Sequence, residues 1–118
     1  MHDKKGAEKM EKKIKVVTPT MKVNDDLFYK MQVEFEDTLE VIAKLPCEEM
    51  FTKTTEVAMK EIILKCMEIR DVSYKAATGL LALEHPLDYL YVIYKRAYLF
   101  YGSFYDLVED IGKNIFDS

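Results

Sequence analysis

The sequence of 118 residues has few of the residues that most often carry chemistry. It has two cysteines, Cys47 and Cys66. Their separation is neither a disulfide framework nor a zinc-ligand spacing, so they read as free, buried thiols in a reducing cytoplasm. Of its two histidines only His85 lies beyond the N-terminal stretch, beside Pro86. A nucleophilic triad needs a base oriented next to a serine or cysteine. No Gly-x-Ser-x-Gly and no papain- or caspase-like cysteine context is present, and His85 reads as loop structure at a helix start. Four scattered glycines form no phosphate cradle. A di-metal helix bundle needs Glu-x-x-His pairs, and there are none. Glu36, Glu40, Glu61 and Glu68 have helical spacing and read as solvated faces. No uncharged apolar run is long enough to cross a bilayer, and no apolar stretch follows the basic start as in a signal peptide. No repeat is visible. These absences predict a cytoplasmic protein that is not an enzyme, with no cofactor, no metal and no membrane partner.

What is present is charge asymmetry and helical periodicity. Residues 1–22 carry seven lysines against three acids, whereas residues 23–118 carry ten basic against eighteen acidic side chains. A basic leader, net +4, therefore precedes an acidic body, net −8. The leader has few apolar residues and no sustained period, and Thr18-Pro19-Thr20 interrupts any regular element. It predicts a mobile, disordered basic arm over 1–22, followed by a single helical domain over 23–118.

Within that domain the spacing predicts about five helices. The first opens at Asn24 or Asp25 as cap and carries Phe28, Met31, Phe35, Leu39 and Ile42 on one stripe. The second starts at Pro46, with Met50, Thr54, Val57, Ala58, Ile62 and Cys66 facing inward. Its threonines, Thr52, Thr54 and Thr55, predict a kink. Ser73 caps a short third helix with Ala76, Leu80 and Leu83 inward, in which Gly79 costs propensity or permits a close helix approach. The fourth begins at Pro86. The fifth follows Ser103 and Asp106, a weak capping box, and buries Leu107, Ile111 and Ile115. Short connectors and no strand alternation make this a compact all-α bundle.

Eight of the fourteen aromatic residues fall between Tyr89 and Tyr105. Tyr91, Tyr94, Tyr98 and Tyr101 (or Tyr105) recur at three- and four-residue steps, with Leu87 one turn earlier. Such a stripe suits a core face. It also suits a protein interface, where tyrosine is enriched and its hydroxyl finds a partner. Glu109 and Asp110 are close by in sequence, and tyrosines rimmed by carboxylates suit a basic partner surface.

Four stretches resemble a known family: Leu27–Met31 (with Phe28 at its tyrosine position), Leu45–Glu49, Ala77–Leu81 and Pro86–Tyr91. They are similar to the Leu-Tyr-x-Lys-Met, Leu-Pro-x-Glu-Glu, Ala-x-x-Leu-Leu and Pro-Leu-x-x-Leu-Tyr motifs of small clostridial and other Firmicutes domains of unknown function. The resemblance covers about residues 25–110. The stretch Asp71–Ala76 is less polar than the family's, and the terminal helix is more aromatic. Such genes resemble cargo of phages and other mobile elements. The resemblance implies an accessory role, such as an anti-CRISPR-like inhibitor of a bacterial defence nuclease.

The sequence thus predicts a protein-binding module that uses Tyr91, Tyr94, Tyr98, Tyr101, Glu109 and Asp110 against a protein partner such as a nuclease. Two alternatives are a helix-turn-helix-like regulator using Lys95, Arg96 and the arm, and a homodimeric structural module. The acidity of the body disfavours direct nucleic-acid binding.

Overall fold

A computed structural model describes residues 17–97 and 103–118 of the chain. The described residues form six α-helices and no strand: α1 Pro19–Ala43, α2 Cys47–Thr52, α3 Thr54–Met67, α4 Tyr74–Leu81, α5 Pro86–Ala97 and α6 Phe104–Asp117. The chain is all-α, as its periodicity predicts. Of the predicted basic arm, residues 1–16 lie outside the described residues.

The first helix begins earlier than expected. Thr18, not Asn24, is its cap, and the Thr18 hydroxyl accepts from the Met21 amide at 3.1 Å. Pro19 opens the helix because its missing N–H would have no partner there anyway. Asn24 is instead buried within α1 and bonds the connector after α3. Its Oδ1 accepts from the Val72 amide at 3.0 Å, and its Nδ2 donates to the Val72 carbonyl at 2.8 Å.

The segment after Pro46 is two helices rather than one. The hydroxyl of Thr52 donates to the Glu49 carbonyl at 2.6 Å, and that of Thr54 to the Phe51 carbonyl at 2.9 Å. Such back-bonding competes with the helix ladder, and Lys53 between them forms a turn. The buried face of α3 is also rotated from the expected one. Lys60, Ile63 and Met67 are buried, while Thr54, Ala58 and Ile62 are exposed. The thiols are free, but Cys47 is exposed and Cys66 half-buried, not buried as expected. Proline starts the α2 turn at the surface, which leaves Cys47 outside.

The core gathers Leu27, Phe28 and Met31 of α1, Ile63 and Met67 of α3, and Ala76, Ala77 and Leu80 of α4. Leu87 and Leu90 of α5 and Leu107, Val108 and Ile111 of α6 complete it. Helices α4 and α6 cross over small residues. A Cβ on Gly79 would overlap the Gly112 carbonyl oxygen and lie 3.0 Å from the Phe116 amide nitrogen. A Cβ on Gly112 would lie 2.6 Å from the Ala76 Cα. Gly79 therefore permits close approach, and its partner in doing so is Gly112.

Polar side chains fix the helix ends. Glu109 of α6 accepts from the Ser73 amide at 3.0 Å and from the Ser73 hydroxyl at 2.6 Å, while Ser73 itself caps α4. On α1, Lys30 donates to the Leu81 carbonyl at 3.0 Å and to the Leu83 carbonyl. One turn later Glu34 accepts from the Leu87 and Asp88 amides, both at 2.8 Å. A cation thus meets the carbonyl end of α4 and an anion the amide end of α5, each the sign the helix dipole favours. The connector between α4 and α5 is thereby pinned to α1.

Candidate functional site: an open groove between α1 and α3

Burial on α1 stops at Met31 and resumes only at Lys60 of α3. No residue from 32 to 59 is buried. The second half of α1, all of α2 and the start of α3 therefore form a helical hairpin in which Phe35 and Met59 pack, partly buried, against the core. Helices with an apolar stripe are stabilised by burying it, and here part of that stripe is uncovered. Tyr29 is 68% and Val41 63% exposed, and Val33 is also exposed. Leu39, expected inward, is exposed as well.

Between the two arms of the hairpin lies an open groove of about 750 Å³. Tyr29, Val33, Val41, Ile42 and Leu45 supply its apolar surface. Tyr29, Val33, Asp37 and Val41 recur every four residues, a line about 18 Å long at 1.5 Å rise per residue. The opposite wall comes from Lys53, Glu56 and Lys60, and Glu84, His85 and Asp88 close one end.

Lys60 is the polar anchor of this groove. Its side chain is only 4% exposed, and its ammonium lies 3.0 Å from Glu56 and 3.1 Å from Asp88. It also sits 5.4 Å from the centre of the Tyr91 ring, a cation–π arrangement. Burial by itself would lower its pKa. The hydrogen bonds and negative charge of Glu56 and Asp88 outweigh that and raise it above the ordinary lysine value. Glu34 is committed to the α5 amides and Lys30 to the α4 carbonyls. Asp37 and Glu84 remain as exposed carboxylates at the rim. Residues 32–59 carry seven carboxylates against Lys44 and Lys53, so the hairpin is acidic.

The residues predicted to form a binding face are distributed differently. Tyr91 is buried beneath Lys60, and the Lys95 ammonium lies 5.8 Å from its ring centre. Tyr94 is half-buried and meets Phe104 edge-on at 5.6 Å. Glu109 uses both carboxylate oxygens on Ser73, and Asp110 is exposed on α6. Tyr98 and Tyr101 lie outside the described residues. Lys95 and Arg96 are exposed in the last turn of α5. His85 is exposed, 3.7 Å from Glu84, and the α5 amides are capped by Glu34 instead.

Lys60, Glu34 and Lys30 are not among the site residues that the sequence predicts. Lys60 was detectable: Glu56, Lys60, Ile63 and Met67 fall on one helical face, with a charged pair at four-residue spacing. Glu34 and Lys30 act across more than fifty residues of chain, and no local pattern marks such contacts.

Among the described residues no group of three or more His, Cys, Asp or Glu side chains could hold a metal ion. No described helix is long and apolar enough to cross a membrane. Compared with known proteins, the chain matches no family model, no curated protein and no solved structure.

Proposed function

We propose that this protein is a non-enzymatic binding module that holds a basic segment of another protein in the α1–α3 groove. The observation that carries the reading is the uncovered apolar line Tyr29–Val33–Val41 inside an acidic hairpin with no buried residue between Met31 and Lys60. A groove between helices takes a helix whose apolar face enters it, anchored at i, i+3, i+4 and i+7. The acidic rim selects lysine or arginine flanking those anchors and speeds encounter with them. Lys60, held between Glu56 and Asp88, keeps one wall in place with its own positive charge neutralised. Inhibition of a defence nuclease is the narrower form of this reading. Its support is the sequence resemblance and the fact that a nucleic-acid channel is itself a basic surface.

The test is calorimetric titration with a lysine–leucine peptide whose leucines follow i, i+3, i+4, i+7 spacing. The wild-type chain should bind it. Asp37→Lys with Glu84→Lys should weaken binding at least about tenfold, equivalent to about 1.4 kcal/mol. The same charge change at Glu61 and Glu68, outside the groove lining, should have much less effect. Equal affinity for all three proteins would contradict the groove as the binding surface.

A further inference from the structure

Taking the α1–α3 groove as the binding surface, we infer that the helix it receives is polar from end to end. Its basic residues sit at the closed end beside Glu84 and Asp88, and its apolar anchors sit at the other end against Val41, Ile42 and Leu45. The groove thus selects a segment whose charges are gathered at one end, and it fixes which way that segment lies.

The first support is the lengthwise order of the lining. Glu34 of α1 accepts from the Asp88 amide, and Lys60 of α3 meets the Asp88 carboxylate. Both helices therefore meet the start of α5 at the closed end, and from there α1 runs out to Leu45 while α3 runs back to Lys53. At the closed end Glu34, Glu56, Glu84 and Asp88 oppose Lys30 and Lys60, a net of −2. Beyond Thr38 the described lining residues are Val41, Ile42, Leu45 and Lys53, so the far end is apolar and its one charge is positive.

The second support is which carboxylates can receive a cation. Glu34 uses both oxygens on the α5 amides, and Glu56 lies 3.0 Å from Lys60 and 3.9 Å from Lys53. Glu84 is exposed with the His85 ring 3.7 Å away, Asp37 is exposed, and Asp88 is exposed and meets Lys60 through one oxygen. A lysine or arginine entering there lays its stem along Tyr29 and Val33 and keeps its charge at the rim. At the far end the same side chain would be desolvated against Val41, Ile42 and Leu45 and repelled by Lys53. Glu36, Glu40, Glu48 and Glu49 belong to the hairpin but not to the groove lining, so they speed encounter without seating the charge.

The third support is length. The line from Tyr29 to Val41 is about 18 Å, which matches a helix of about 12 residues. One basic turn and two apolar turns fill it.

The experiment uses the full chain with Cys66→Ala and a nitroxide on Cys47, which is exposed two residues after Leu45 at the far end. Three isotopically enriched lysine–leucine peptides of about 12 residues and one composition are added in turn. Their lysines are gathered in the first turn, gathered in the last turn, or spread along the helix. In both gathered peptides the label should broaden the leucine end more than the lysine end, whichever terminus carries the lysines. Both should also bind at least about threefold more tightly than the spread peptide, the scale of exposed charge pairs. Equal broadening at the two ends, stronger broadening at the lysine end of either peptide, or equal affinity for all three overturns the end-to-end polarity while leaving the groove as the binding surface. Absence of binding by all three, or binding that broadens neither end, overturns the groove reading itself.

Discussion

Lys60 shows how one buried charge ties stability to pH. Its ammonium is hydrogen-bonded to Glu56 and Asp88, and its folded pKa is raised above the unfolded value of about 10.5. A group whose pKa rises on folding contributes fully below its unfolded pKa, and the contribution is lost as pH climbs through the folded value. The stability difference between the wild-type chain and Lys60→Met should therefore be level from neutral pH to about pH 10.5 and shrink above it. Urea melts of the two proteins side by side measure this. At neutral pH the substitution should cost about 1–2 kcal/mol. It stays below the cost of breaking a fully buried pair because Glu56 and Asp88 are partly exposed and rehydrate. Gly79 gives a second prediction at this scale. Alanine normally gains about 1 kcal/mol over glycine inside a helix. Here its Cβ would overlap the Gly112 carbonyl oxygen, so Gly79→Ala should instead destabilise by about 1–3 kcal/mol, read as a lower urea midpoint at unchanged slope.

At the scale of the elements, the short α5 and α4 are held by caps supplied from elsewhere. Glu34 satisfies two amides at the start of α5 from across the fold. Glu34→Ala should cost about 1–2 kcal/mol. Glu34→Gln should cost less, since its amide oxygen still accepts. Thermal unfolding followed by circular dichroism distinguishes the two. The local half of this architecture was legible in the sequence. Ser73 and Ser103 cap the helices they were expected to cap, Pro86 starts α5, and Leu107 and Ile111 face inward. Those signals act within one turn of helix. The start of α1 was misplaced because Pro19 in the first turn looks like a breaker when the preceding threonine is not recognised as its cap. The inward face of α3 was misplaced because a charged residue, Lys60, occupies a core position, and hydropathy assigns it to solvent. The uncovered groove left no sequence signal: Val33 and Val41 read as ordinary helix residues until the helices around them are placed.

For the whole molecule, packing is uneven. Helices α4, α5 and α6 and the first half of α1 contain most of the buried core, and the hairpin from residue 32 to residue 59 contains none of it. Segments with few buried apolar contacts open at lower free energy than the core around them. Hydrogen exchange should accordingly be faster in Glu36–Thr52 than in Leu27–Met31 and Ala76–Leu80, and a bound basic helix should slow it in the hairpin first. Uniform protection across both regions would contradict this division.

The central claim is that the acidic, apolar-lined groove, and not the tyrosine-bearing surface of α5 and α6, receives the partner. The most direct measurement is a map of amide chemical-shift changes on the full chain as the lysine–leucine peptide is added. The groove predicts changes concentrated at Tyr29–Leu45, Lys53–Lys60 and Glu84–Asp88. Changes concentrated instead at Tyr94 and Phe104–Asp110, or none at saturating peptide, would contradict it.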